Sequence, residues 1–360
     1  MGRDLLSCSL VCRAWLRTCR YHYFRQIILH YGNARGLSAL LRSGDCTFLP
    51  YVRHLEIIWT MVEEIEMEAV VEAVSDACIS FSLDSLYLTQ AGELVLSGIH
   101  PKAQVGLLSL GGLSELTFNA MSFESPDALV GILRSFPRLR TVRFTHCILL
   151  PHHNTSRSEA TAYLLPNLEA LEILNTTAGV ILSVFIPVPT LSTLRLKWLD
   201  DVRHIPHVED IMRASEQSLT TVSLWLGSPG QDETIGMFFL PHHLQIPILD
   251  PGVILRTIDL SRLMELRSIE LSVGKSDEAP QFILVLLSQV ASLIMDVTLH
   301  LWDVSRFDET FWTTLSNILE RKHFVHMQKL LIYGYGARAD FIREQLPGCE
   351  ARGILQFSSI

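Results

Sequence analysis

One spacing recurs through most of this 360-residue chain and limits what it can become: apolar, two variable residues, apolar, one variable residue, apolar. It occurs ten times, as Val52-Leu55-Ile57, Leu83-Leu86-Leu88, Leu113-Leu116-Phe118, Leu139-Val142-Phe144, Leu168-Leu171-Ile173, Leu191-Leu194-Leu196, Leu219-Val222-Leu224, Leu266-Ile269-Leu271, Ile294-Val297-Leu299 and Met327-Leu330-Ile332. Successive starts lie 31, 30, 26, 29, 23, 28, 47, 28 and 33 residues apart. Alternation across the last apolar pair marks a short strand with one buried face, and the stretch behind it has room for a helix returning along the other side. Helix candidates are residues 62–82, 127–135, 208–215, 280–292 and 308–322. Such units cannot bury their apolar faces alone, so they stack, with right-handed returns, into a solenoid. A further match, Leu255-Ile258-Leu260, sits inside the 47-residue gap, and the spacing leaves open whether it is a strand.

The period is close to the roughly 20 to 29 residues of leucine-rich repeats. Leu49-Pro50, Phe136-Pro137 and Leu165-Pro166 stand just ahead of strands, where proline ends the preceding element and restricts the residue before it. This pattern resembles leucine-rich-repeat proteins that carry an F-box. It implies an α/β fold, a right-handed horseshoe solenoid with a parallel concave sheet and outer helices. The copies are degenerate: a regular repeat places an Asn after its strand to ladder the turn backbone, and here only Asn119 and Asn175 lie near such a place.

Residues 4–29 are a separate signal. Asp4 can cap a helix in which Leu6, Leu10 and Ala14 recur at helical spacing, with Leu5, Cys8, Cys12 and Trp15 as a second stripe. A helix apolar over so much of its circumference must be covered on more than one side. The string Asp4-Leu5-Leu6, Leu10-Val11-Cys12-Arg13-Ala14-Trp15 and Phe24-Arg25-Gln26-Ile27 closely resembles the second half of the F-box motif, whose opening Leu-Pro and first helix would fall ahead of Asp4. The resemblance implies that Leu5, Leu6, Leu10, Val11, Cys12 and Trp15 bind a Skp-type adaptor carried by a cullin scaffold. The expected organisation is a partial F-box over 1–30, a connecting helix over 31–48, the solenoid over 49–335 and a C-terminal cap over 336–360.

If the register is right, the residues between the apolar positions face outward along the sheet. That row is polar and of mixed sign, with exposed aromatics among charges, the composition protein interfaces favour. Arg195, Lys197, Trp225, Trp302 and Tyr333 are its leading members; Tyr87, Arg143 and His300 complete the candidate substrate-binding set. Most other positions on such a face are expected to be merely solvated.

Composition narrows the function classes. With 29 basic against 38 acidic residues and a net charge of -9, the chain offers no broad positive surface, which argues against nucleic acid or an anionic membrane as a partner. No run approaches the roughly 18 apolar residues of a bilayer span, and no secretory leader stands out. Seven scattered cysteines suit reduced thiols in cytoplasm or nucleus better than a disulfide frame. Cys8, Cys12, Cys19 and His22 do not follow a zinc-finger spacing, and no metal is expected. The His152-His153, His242-His243 and His204/His207 sets read as solvated loop histidines. No dinucleotide fingerprint, phosphate loop or nucleophile elbow occurs, and neither a cofactor nor enzymatic activity is expected. The chain reads as the substrate-recognition subunit of an SCF-type ubiquitin ligase, with an unknown protein as substrate. The alternative is a non-catalytic repeat scaffold that has lost adaptor binding.

Overall fold

The computed structural model describes residues 13–43, 47–60, 82–91, 112–149, 165–174, 178–186, 188–199, 205–226, 258–273, 279–335 and 339–358, with the single positions Ala73, Asp76 and Leu110. The chain divides near residue 168 into two compact units.

In the first unit, strands β1 (Gln26–Leu29), β2 (His54–Thr60), β3 (Ser85–Ala91), β4 (Glu115–Asn119) and β6 (Thr141–Thr145) each pair in parallel with the next. Through the left-handed residues Ala120 (φ 54°) and His146 (φ 53°), β4 and β6 turn into the two-residue strands β5 (Ser122–Phe123) and β7 (Ile148–Leu149), which pair with each other. In the second unit, β8 (Ala170–Leu174), β9 (Thr193–Leu199), β10 (Thr221–Leu226), β11 (Ser268–Val273), β12 (Asp296–Asp303), β13 (Lys329–Tyr335) and β14 (Leu355–Ser358) follow one another, again all parallel.

All ten triplets fall at strands. The first apolar residue sits two positions ahead of the strand and the other two lie inside it. None of these thirty side chains is more than 5% exposed. Each fully buried aliphatic or Phe side chain contributes roughly 1.5 to 3 kcal/mol. The repeat is thus the core itself, and both units are leucine-rich-repeat-like coils of strand and helical return. The ladder also extends one strand beyond each outermost triplet, with β1 against β2 and β14 against β13.

The returns follow the sequence closely. Helix Pro126–Arg134 starts at Ser125, whose hydroxyl accepts from the Ala128 N–H, with proline at its first turn, and buries Leu129, Val130, Ile132 and Leu133. Helix Ile205–Ala214 buries Ile205, Val208, Ile211 and Met212. Helix Ala279–Gln289 buries Phe282, Ile283, Leu286 and Leu287. Helix Glu309–Leu319 is capped by Asp308 and buries Phe311, Trp312, Leu315, Ile318 and Leu319. The 31–48 segment contains helix Tyr31–Arg42, whose Ser38 and Arg42 both donate to Asp76 (2.7 and 2.8 Å). Of the 62–82 candidate, only Ala73, Asp76 and Ser82 are described, the first two as helical. The open Leu255-Ile258-Leu260 match is settled for its end: Asp259 caps a 3-10 turn, Leu260–Arg262, so Leu260 is not in a strand, while Leu255 lies outside the described residues.

Main-chain bonds do the work that asparagines do in a regular repeat. The carbonyl just ahead of one strand accepts two successive N–H groups of the next coil. Arg25 takes Arg53 and His54, Arg53 takes Asp84 and Ser85, Asp84 takes Ser114 and Glu115, and Ser114 takes Arg140 and Thr141. The second unit repeats the device from Glu169 through Ser192, Thr220, Arg267 and Met295. Hydroxyls thicken the same rail: Ser114, Ser192 and Thr220 donate to Asp84, Glu169 and Ser192 carbonyls. The turn before several strands is alike, with the N–H of Leu113, Leu139, Leu168, Leu266 and Met327 donating to the carbonyl three residues back. At the end of the second unit, Arg352 donates to the carbonyls of Phe324, Val325 and Met327 at 2.8 to 3.0 Å.

Candidate functional site

The face of each sheet opposite the apolar triplets is set by strand register. In the second unit one row runs Glu172, Arg195, Ser223, Glu270, Thr298 and Leu331; the next runs Leu174, Lys197, Trp225, Ser272, His300 and Tyr333. The second row occupies one position of the repeat, the residue directly after the third apolar of each triplet.

Four of its side chains form a continuous stack. Lys197 Nζ lies 3.6 Å from the centroid of the Trp225 ring. Trp225 and His300 have centroids 4.6 Å apart with their planes at 45°, and His300 lies flat on Tyr333 at 4.5 Å and 4°. His300 and Tyr333 are on neighbouring strands, where such spacing is ordinary. Trp225 and His300 are on β10 and β12, whose backbones stand about 10 Å apart. They meet because the residue between them, Ser272, is small and only 2% exposed.

The stack is bonded to the row beside it. His300 Nε2 lies 2.8 Å from Glu270 Oε1, and Arg195 pairs with Glu172 at 3.3 Å. Burial alone would push the Glu270 carboxyl up. The hydrogen bond and charge of His300, the Ser223 hydroxyl and the Arg195 charge outweigh it and hold the group at about 2. A carboxyl depressed in the folded state from an ordinary 4.5 stabilises fully above that value and loses its contribution as the pH falls through about 2. Glu270→Gln is therefore expected to lower stability by about 1.5 to 3 kcal/mol near neutrality, the range for hydrogen bonds to charged groups. Urea unfolding of both chains at about pH 7 and about pH 3 checks it, and a gap that fails to narrow at the lower pH counts against the assignment.

Of the sequence-derived candidates, Arg195, Lys197, Trp225, His300 and Tyr333 come together in this cluster. Tyr87 and Arg143 belong to the first unit, on a row that reads Ile28, Glu56, Tyr87, Thr117, Arg143. On the row beside it, Arg25 donates to His54, which is hydrogen bonded to Ser85. Trp302 lies in β12, but its side chain is outside the described residues. Glu172 and Glu270 stand on the outward row that the sequence predicts without being among its favoured candidates, and Ser272 is the member the sequence reading did not name. Not every outward position is solvated: Ser85 and Thr117 in the first unit and Glu172, Ser223, Ser272 and His300 in the second are buried.

At the N-terminal segment, helix Arg13–Phe24 is fastened through Phe24, which stacks on Phe48 (4.8 Å, 20°), and through Tyr21, edge-on to Tyr51. Trp15 is left 55% exposed. Leu5, Leu6, Leu10, Val11 and Cys12 lie outside the described residues. Cys19, Cys147 and Cys349 are buried; burial pushes the Cys147 thiol up to about 12, while its Sγ donates to the Phe118 and Thr145 carbonyls. Among the described residues no three His, Cys, Asp or Glu side chains converge as metal ligands, and no helix is long and apolar enough to cross a membrane.

The units and their polar face define a leucine-rich-repeat class of fold, with side-chain rows ordered by strand register on the face opposite the apolar triplets. No family model and no curated protein matches the chain. Among solved structures it is similar to the leucine-rich repeat-containing protein LegL7 from Legionella pneumophila, at 13% identity over 90% of this chain and 97% of that one, with a TM-score of 0.46.

Proposed function

We propose that the chain is the substrate-recognition subunit of a cullin-RING ubiquitin ligase. The N-terminal segment docks a Skp-type adaptor, the polar face of the repeat sheet holds a substrate protein, and the catalytic steps occur on other chains in cytoplasm or nucleus. The F-box resemblance of residues 4–27 carries the adaptor half of this reading. It is supported by the exposure of Trp15 on a helix that runs without a linker into β1, so that whatever holds the helix also holds the first coil. The substrate half is supported by the Lys197–Trp225–His300–Tyr333 stack, since aromatic and cationic side chains on a rigid sheet are the usual anchors of protein interfaces.

The adaptor half is tested by supplying an F-box first helix ahead of Asp4 and measuring recovery of a Skp-type adaptor. Trp15→Ala is expected to lower recovery by about tenfold or more, as for an interface tryptophan. Equal recovery of the two chains overturns it. No recovery from either, with binding at the polar face retained, favours the scaffold reading instead.

A further inference from the structure

Strand β1 is the outermost strand of the first unit among the described residues. His54, opposite Gln26, donates its N–H to the Arg25 carbonyl. In a parallel ladder alternate residues bond to one neighbour, so Arg25, Ile27 and Leu29 turn their N–H and C=O groups to β2, while Gln26, Ile28 and the extended His30 (φ -142°, ψ 168°) turn theirs to the far edge. That edge is uncharged from Gln26 to Leu29 and Ile28 is 44% exposed, which is the make-up of an edge that recruits further strands.

Asn33 closes part of it. Its Nδ2 donates to the Ile28 carbonyl at 2.7 Å and its Oδ1 accepts from the His30 N–H at 2.9 Å. The two backbone partners are one acceptor and one donor, so they fix which way the carboxamide points. One N–H and one C=O set against those two groups is what a single residue of a further parallel strand would supply. Starting helix Tyr31–Arg42 does not call for this. The cap needs an acceptor for the His30 N–H, which Oδ1 provides, and His30 Nδ1 takes the Gly32 N–H at 3.1 Å. The bond from Nδ2 to Ile28 is additional to the cap and reaches back into the sheet.

We infer that Asn33 is the stop of this sheet: its carboxamide stands where a residue of a further parallel strand would pair, and so keeps β1 from pairing with a strand of a second copy of this chain. The stop governs self-association alone. It acts whether or not an adaptor or a substrate is bound, and loss of adaptor recovery with Trp15→Ala leaves it standing.

The test is the mass of the chain in solution, followed by sedimentation equilibrium over a range of concentrations. Relative to the parent chain at the same concentration, Asn33→Ala is expected to raise the weight-average mass about twofold or more, as a closed dimer or a growing head-to-tail array would. His30→Ala removes the Gly32 bond of the cap but leaves the backbone N–H that Asn33 accepts, and it is expected to sediment as the parent does. Adding Ile28→Lys to Asn33→Ala is expected to remove the gain, since a lysine on an edge strand opposes pairing. No gain in Asn33→Ala, a gain of equal size in His30→Ala, or a gain that Ile28→Lys leaves in place overturns the inference. Should Asn33→Ala fail to fold, exchange of the Asn33 side-chain amide in the parent chain decides: slow exchange of the Nδ2 protons is expected, and exchange as fast as that of a solvent-exposed asparagine overturns it.

Discussion

Phe144→Ala is expected to destabilise the first unit by roughly 3 to 5 kcal/mol, the range for emptying a buried Phe site. Phe118, Phe123 and Phe144 are fully buried. Phe118 stacks on Phe144 at 5.2 Å and 19°, and Phe123 meets both rings edge-on, at 5.2 and 6.2 Å. This cluster joins the third apolar positions of two neighbouring coils to the small β5–β7 sheet. Removing the Phe144 ring leaves a void beside Phe118 and Phe123. In a stacked array each coil is held by its neighbours, so the loss is local and shows as faster amide exchange in β4 and β6 as well as a lower urea midpoint. A cost under about 1 kcal/mol, the scale of a site that collapses without a cavity, means that the cluster is not packed as described.

Trp312→Ala is the counterpart in the second unit, with a similar expected cost of roughly 3 to 5 kcal/mol. The indole is fully buried and its N–H donates to the Phe307 carbonyl at 3.2 Å. Phe311 packs edge-on at 5.1 Å and Phe341 at 6.3 Å. The ring therefore pins helix Glu309–Leu319 to the turn before it and to helix Ala339–Gln345. Trp312→Phe separates the two contributions, because it keeps most of the bulk and loses the hydrogen bond, at a net cost of about 1 kcal/mol for the bond alone. Exchange of the β13 and β14 amides reports the effect, and equal protection in Trp312→Ala and the parent chain overturns it.

The strand side of the core was written in the triplets, because burial on one side of a short strand forces a two-residue alternation that nothing else in the chain mimics for ten copies. The strands lacking it were harder. Gln26-Ile27-Ile28-Leu29 is apolar on both pleat faces, so its period is blurred, and Leu355-Gln356-Phe357-Ser358 is too short to stand out from a helix end. The outward row was legible as residues but not as a site. Lys197, Trp225, Ser272, His300 and Tyr333 occupy one repeat position in five successive coils, and aligning the triplets places them side by side. What alignment does not show is that a serine between two rings makes contact possible, or that Glu270 on the adjoining row completes the bond. Likewise, the sparse asparagines marked the copies as degenerate, while backbone carbonyls tie one coil to the next, and no side-chain signal announces them.

That backbone tie has a bearing on how such a chain can change over generations. Thr220 receives the N–H groups of Arg267 and Ser268 just as Ser192 receives those of Thr220 and Thr221, although 47 residues separate triplet starts in one case and 28 in the other. Strand placement is thus indifferent to the length of what lies between, since lengthening a loop costs little once its ends are fixed. Insertions can accumulate between β10 and β11 without disturbing a single aligned side chain, which leaves the molecule free to acquire new appendages while its established surface stays constant.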